Sequence, residues 1–456
     1  MPIDIISSVI FDGPDVLPGW KYLKTYVPIL AGLSAVKWYF GGTKNTWKRD
    51  LHGKVFIVTG GTAGLGAAVT YELAQKGAQV ILLCRSVDDP FTIDFIDDMR
   101  EKTNNFMIYA EPCDLSSLHS VRLFATKWLD NQPPRRLDGV ICCASETIPK
   151  WKPRQVSVDG VEIQLAVNYL AHFHLLTLLK PSLHVQPPDR DVRIVLTTCA
   201  SQALAEIDQE DLLWESRRYP SSKPWNVYGT SKLLLGIFGR QFQRSLNEYE
   251  RADKSPCNIR VSVVNPGIMR TPSTRRFLSF GTIWGLILYL ILFPVWFIFF
   301  KDAIQGCQSI IFAILAPILG AQDGGNLIQE CSILTKGRNE YFDYELQNAI
   351  AEKTEKLIEG LERSAAIERK KQEKALGLDK EKKKQEEKKK QDIHEKPSND
   401  DELNYKLSMM RKSMGLPMGS DGNKLFSKED KPDAVSVKAT GKDSGKSKSK
   451  SKSRKR

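Results

Sequence analysis

The hydrophobic positions change period along the chain. Residues 54–59 (Lys-Val-Phe-Ile-Val-Thr) form an apolar, β-branched run that predicts a buried strand, followed by a glycine-rich turn and a helical pattern reaching residue 76. Gly77 stops that helix, and 79–84 is a second β-rich run, so strand, helix and strand follow within about thirty residues, the size of a βαβ unit. Further apolar runs at 106–110, 139–143, 193–198 and 260–264 are separated by helix-length segments. Alternation of this kind predicts an α/β fold with a doubly wound parallel sheet. A helix at 310–319 and a late strand in the run to Tyr341 and Phe342 are expected to complete it.

Two stretches break the rhythm. Residues 277–300 are 24 consecutive positions without a charge, flanked by Arg275, Arg276 and Lys301. That length could cross a bilayer, but a single crossing would put the last elements on the opposite side of the membrane and the sheet could not close. The pattern therefore predicts an in-plane or re-entrant insertion, bent at Gly281, Gly285 and Pro294, with both positive flanks on one face. The run 26–40 contains Pro28 and Lys37, which favours an interfacial anchor within residues 1–50 over a span. The folded domain is expected over 51–343, followed by a charged helix at 344–369 that carries Leu346, Ile350, Leu357 and Leu361 at helical spacing. Residues 370–456 are Lys-rich and of low complexity, too apolar-poor to offset their ordering entropy, so disorder or a solvated helix is expected.

Charge follows that division. The chain carries a net +12, and residues 361–456 hold 28 Lys and Arg against 17 Asp and Glu, so the rest is close to neutral. The basic balance describes a tail that could meet anionic lipid or protein, and it does not mark the body as a nucleic-acid binder. Eight cysteines and six histidines show neither disulfide nor metal-ligand spacing, which fits reduced thiols and no metal site. Residues 1–15 hold three aspartates and no Lys or Arg, unlike a cleaved signal peptide.

The turn after the first strand reads Thr59-Gly60-Gly61-Thr62-Ala63-Gly64-Leu65-Gly66. Between strand and helix, Gly60 permits the tight turn, Gly64 a close backbone approach to phosphate, and Gly66 close helix packing on the sheet. Thr62 and Leu65 belong to the same turn; taken alone, the glycines would signal only a tight turn. After the second strand comes Cys84-Arg85-Ser86, with no acid to accept from a ribose 2′-hydroxyl. Arg85 could fork onto a 2′-phosphate, which favours NADP(H) over NAD, or it could be a solvated surface residue. Asp114, after the third strand, could meet the adenine or cap the helix that follows.

Tyr228 and Lys232 lie four residues apart on a helical stretch, hence on one face. An ammonium nearby would lower the phenol pKa from about 10, letting Tyr228 exchange a proton with a substrate oxygen as hydride moves.

Together these motifs resemble the short-chain dehydrogenase/reductase family, nearest its retinol-dehydrogenase-like and WW-domain-oxidoreductase-like branch, over roughly 51–342. The resemblance also draws on Asn168 in Val167-Asn168-Tyr169-Leu170-Ala171-His172-Phe173 and on Asn265-Pro266-Gly267 with Thr271. It implies a Rossmann-type sheet, a nicotinamide cofactor, a water relay from Asn168 to Lys232, and Pro266, Gly267 and Thr271 against the nicotinamide. Asn168 could instead be a helix-interior residue satisfied locally. Direct register puts Thr198 where the family has its substrate-orienting serine, with Ser201 as the alternative and an ordinary strand threonine as the plain reading. Where the family has Asn-Asn-Ala-Gly, this chain has Cys142-Cys143-Ala144-Ser145. The family's lid corresponds to 277–300, which implies a lipophilic retinoid, steroid or long-chain substrate. More loosely, the apolar stretches and basic tail resemble fungal lipid-droplet oxidoreductases implicated in vacuole morphology, so the endoplasmic reticulum surface or a droplet is the expected location. A low-turnover dinucleotide-binding scaffold is the competing expectation.

Overall fold

The computed structural model describes residues 11, 19–251 and 253–375; the expectations for residues 1–10 and for the tail beyond 375 lie outside them. Eight strands form one sheet: β1 (Val55–Thr59), β2 (Gln79–Cys84), β3 (Ile108–Pro112), β4 (Gly139–Cys142), β5 (Val192–Thr197), β6 (Ile259–Asn265), β7 (Asn326–Gln329) and β8 (Ser332–Leu334). Their order is β3-β2-β1-β4-β5-β6-β7-β8, parallel from β3 through β7, with β8 antiparallel at the edge. The strand order reverses between β1 and β4, which opens a crevice beyond their carboxyl ends, where such sheets bind ligands. β1, β4 and β5 are buried along their whole length, as expected of strands covered on both faces.

Two corrections follow. The third strand lies at Ile108–Pro112 instead of 106–110, because Asn105 hydrogen-bonds the carbonyls of Ala74 and Ala78 and occupies the strand entrance. Tyr341 and Phe342 are not a late strand: Tyr341 ends a 3₁₀ turn, and the late strands are β7 and β8.

Helices α1 (Trp20–Gly41), α2 (Gly64–Gln75), α3 (Pro90–Thr103) and α4 (Leu118–Leu129) precede a buried π-turn over Ala166–Leu170 that runs into α5 (Ala171–His184). Helix α6 (Pro224–Asn247) packs on β5 and β6 and carries Tyr228 and Lys232. The uncharged run is not one helix. It divides among α7 (Pro272–Leu278), α8 (Ile283–Ile291) and α9 (Phe293–Phe299). The break between α7 and α8 uses Phe280 and Gly281, both at positive φ, and a Cβ on Gly285 would meet the Ser279 carbonyl at 1.9 Å, so the turn closes only on glycine. Among the described residues no helix is long and apolar enough to cross a membrane. Helix α10 (Ala303–Leu315), started by the capping box of Asp302 and Gln305, returns to the sheet and covers its second face with α2. Helix α11 (Tyr344–Ala375) buries Ile350 and Ile358 in the core, with Leu346, Leu357 and Leu361 packed beside them.

Candidate active site

The glycine turn is shaped by what a side chain would strike. Gly60 has φ 63° and a Cβ there would lie 2.7 Å from the Ala144 Cα, while a Cβ on Gly66 would lie 2.1 Å from the Gly60 carbonyl oxygen. Gly64, at φ 54°, opens α2, whose first backbone N–H groups have no partner inside the helix and can hold an anion. Thr271 faces Gly64 from the opposite wall. Gly60, Thr62, Arg85, Ser86 and Asp114 line one trough of about 480 Å³ beside this turn. The Arg85 side chain is 74 % exposed and only loosely paired with Asp114, at 3.7 Å, so its fork is open to an incoming phosphate. Asp114 does not cap a helix. Its two oxygens accept from the backbone N–H and the hydroxyl of Ser116, and Ser117 precedes α4. These features fit a dinucleotide: glycines where phosphate needs clearance, a helix start, and a basic fork at the second strand's end.

A second cavity, about 530 Å³, opens beyond the same carboxyl edge. It is lined by Gly64, Leu65 and Gly66 on one side, Tyr228 and Lys232 on another, Pro266, Gly267 and Thr271 below, and Phe277, Leu278 and Phe300 from the lid. Lys232 is buried and its Nζ donates to the Thr197 carbonyl at 3.0 Å. Burial lowers its pKa from the ordinary ammonium value. Burial also pushes the Tyr228 phenol up, and the neighbouring Cys199 adds to this, whereas the Ser145 hydroxyl favours the phenolate. The expectation that Lys232 would lower the phenol is thus outweighed by desolvation. Tyr228 stays in its acid form, suited to giving a proton.

Asn168 is fully buried at the π-turn. Its side chain accepts from the Glu146 N–H at 2.7 Å, and donates to the Glu146 carbonyl at 3.1 Å and the Ser231 hydroxyl at 3.0 Å. It therefore ties the loop after β4 to α6. Thr198 follows β5 and lines the cavity, but its hydroxyl donates to the Val264 carbonyl at 3.1 Å. The Ser201 hydroxyl pairs with the Cys199 thiol at 2.6 Å. Ser145 and Cys199, which line the cavity beside the phenol, were not assigned to the site by sequence. The signal was present in the strand pairing: Cys142 is in register with Leu196, so the third residue beyond each, Ser145 and Cys199, leaves neighbouring strand ends.

Beneath the site, His172 links β1 to the π-turn. Its Nδ1–H donates to the Asn168 carbonyl at 3.1 Å, and its Nε2 accepts from the Thr59 hydroxyl at 2.9 Å. Thr59 in turn accepts from the Ala144 N–H at 3.1 Å. The Cys142 and Cys143 thiols are buried and held protonated, Cys143 pushed up to about 11.

Known proteins resemble this chain in sequence. The short chain dehydrogenase family matches residues 54–204. The uncharacterized oxidoreductase pbr1 of Schizosaccharomyces pombe is 41% identical over 365 residues, covering 80% of this chain and 97% of that protein. An uncharacterized oxidoreductase of Saccharomyces cerevisiae is 41% identical over 388 residues, covering 81% and 95%. Retinol dehydrogenase 13 of Mus musculus is 32% identical over 249 residues, covering 54% and 68%. A glycine trough, a Tyr/Lys pair in one cavity and relatives matched along nearly their full length agree: the chain belongs to the short-chain dehydrogenase/reductase family of nicotinamide-dependent oxidoreductases.

Proposed function

We propose that this protein is a membrane-associated, NADP(H)-dependent oxidoreductase that interconverts an alcohol and a carbonyl on a lipophilic substrate of the retinoid, steroid or long-chain class. The observation that carries this is the position of Tyr228 in a cavity whose outer wall is the apolar lid, formed by Phe277, Leu278 and Phe300. The reduced nicotinamide, when bound, supplies the hydride. Tyr228 donates a proton to the carbonyl oxygen, or removes one from the alcohol in reverse. Lys232 supports that transfer electrostatically, and Asn168 holds the β4 loop and α6 in register. Gly60, Thr62, Gly64, Leu65 and Gly66 would hold the pyrophosphate, Arg85 a 2′-phosphate, Asp114 the adenine side, and Pro266, Gly267 and Thr271 the nicotinamide.

Membrane association rests on exposure. On α8, Ile283, Trp284 and Ile291 are 79%, 82% and 69% exposed, and on α1 Trp38 is 83% exposed. The two regions meet: α1 packs on α9, with Phe40 and Phe299 at 5.1 Å edge to face. Lys37 and Arg270 lie over the Phe297 ring, which suits cations at a lipid boundary. An endoplasmic reticulum surface or a droplet monolayer would both accept such a face, and the lipid would deliver substrate to the cavity mouth.

The test is NADPH oxidation by the detergent-solubilised full chain over retinals, ketosteroids and long-chain aldehydes, beside Tyr228→Phe. Turnover lost in Tyr228→Phe with NADPH binding intact is the expected result. NADPH binding without turnover on any substrate refutes catalysis and supports the scaffold alternative.

A further inference from the structure

We propose that Ser145 is the hydroxyl that orients the substrate oxygen beside Tyr228, so that this active site takes its positioning hydroxyl from the end of β4 instead of the end of β5. The proposal rests on the functional reading above and names a catalytic residue for it.

The candidates are the polar side chains around the phenol. Thr198 has committed its proton: hydroxyl and backbone N–H both donate to the Val264 carbonyl, at 3.1 and 2.8 Å, which turns its donor toward β6. Cys199 reaches the phenol, but its thiol is paired with Ser201, and a thiol is a weak donor. The same pairing occupies Ser201. Ser145 remains, lining the same cavity as Tyr228 with a hydroxyl that favours the phenolate form.

Its placement is also suitable. Ser145 lines both the trough that holds Arg85 and the cavity that holds Tyr228. It thus stands where the two cavities adjoin. β4 and β5 are parallel neighbours, so a residue leaving β4 emerges one strand over from one leaving β5, at the same carboxyl edge. The loop itself is rigidly held. Ala144 N–H is bound to Thr59, and Glu146 is bound at both its backbone N–H and carbonyl by Asn168. Ser145 lies between two fixed residues, the condition for a preorganised donor.

In reduction, hydride adds to the carbonyl carbon, the π electrons move to oxygen, and the Tyr228 proton forms the new O–H bond. Ser145 donates its one hydrogen bond to that oxygen and keeps its own proton throughout. A glycine at this position, as in the family's usual Asn-Asn-Ala-Gly, could supply no such donor. The departure in the β4 loop and the threonine at the end of β5 become one exchange.

The experiment compares Ser145→Ala with Thr198→Val in the full chain with NADPH bound. Retinal turnover gives the first readout. Ser145→Ala is expected to lower kcat about 100-fold with NADPH affinity unchanged. Thr198→Val should stay within a few-fold of the parent. The second readout needs no turnover: affinity for dodecanol relative to dodecane, followed by quenching of Trp225, which lines the cavity. Ser145→Ala should shrink that ratio about tenfold, the worth of one hydrogen bond. If Thr198→Val produces the large losses and Ser145→Ala does not, the proposal is overturned. If the parent reduces no aldehyde, the functional reading fails, while the alcohol-to-alkane ratio still decides which hydroxyl meets the oxygen.

Discussion

Acid should weaken this fold through one buried imidazole beneath the active site. His172 is fully buried, with its Nδ1–H donating to the Asn168 carbonyl and its Nε2 accepting from the Thr59 hydroxyl, so the neutral ring satisfies both partners. Burial lowers its pKa from 6.5 to about 4, opposed by the Asn168 carbonyl and assisted by the charge of Lys232. The unfolded chain takes up a proton near 6.5 and the folded chain only near 4, so stability is full above 6.5 and falls as pH drops through that window. At 1.36 kcal/mol per pH unit the loss is about 3 kcal/mol, complete once the folded ring protonates. His184 is also lowered to about 4, by burial and then by Lys180 and Arg251, but it is partly exposed and its share is discounted. The lowered carboxyl of Glu362 acts in a more acidic window, ending near 2. The assay is urea unfolding followed by tryptophan fluorescence at about pH 7 and about pH 4.5 for the parent, His172→Gln and His184→Gln. His172→Gln should remove most of the pH dependence in this range, at some cost in stability near neutrality. An unchanged slope in that variant, or loss of the slope in His184→Gln alone, would refute the reasoning.

Three further outcomes are expected. Gly66→Ala forces a methyl against the Gly60 carbonyl, where the unrelaxed distance is 2.1 Å, so NADPH affinity measured by fluorescence should fall at least tenfold while the chain still folds. Arg85→Glu places an acid where a ribose 2′-hydroxyl could be recognised, and should reverse the preference from NADPH toward NADH, read as the ratio of their dissociation constants. Trp284→Asp with Ile291→Asp alters two residues that are 82% and 69% exposed, so flotation with phospholipid vesicles should drop sharply while the melting temperature holds. Unchanged flotation would remove α8 from the membrane face.

Hydrophobic period alone located most of the frame. β1, β2 and β4 to β6 fall within a residue or two of the runs that announced them, because strands buried on both faces must be continuously apolar. The late strands were harder to see. β7 and β8 are short, four and three residues, and an edge hairpin half open to solvent carries little apolar signal. Tyr341 looked like strand because it is aromatic and buried, yet its hydroxyl reaches Gln202 and its ring fills the space above Gly236, a packing role that periodicity cannot express. At the site, helical spacing was enough to pair Tyr228 with Lys232. Linear register put Thr198 in the serine's place but could not show where its hydroxyl points, since that depends on the Val264 carbonyl of the next strand. The fall in the Lys232 pKa was likewise invisible, because desolvation is a property of the packed site.

The apolar lid leaves the domain and returns to it at one point. Met269 pairs with Lys301, the Arg270 N–H donates to the Lys301 carbonyl, and the Lys301 N–H donates to the Ile268 carbonyl. A detour closed at its base by such a clasp behaves as an exchangeable module: closure entropy changes slowly with loop length, and the sheet does not register what lies beyond the clasp. Between residues 272 and 300 the chain can therefore be lengthened, shortened or given a different surface while Tyr228, Lys232 and the glycine turn keep their positions. Substrate range and surface preference can then diverge among relatives by edits to one segment, over chemistry that does not move.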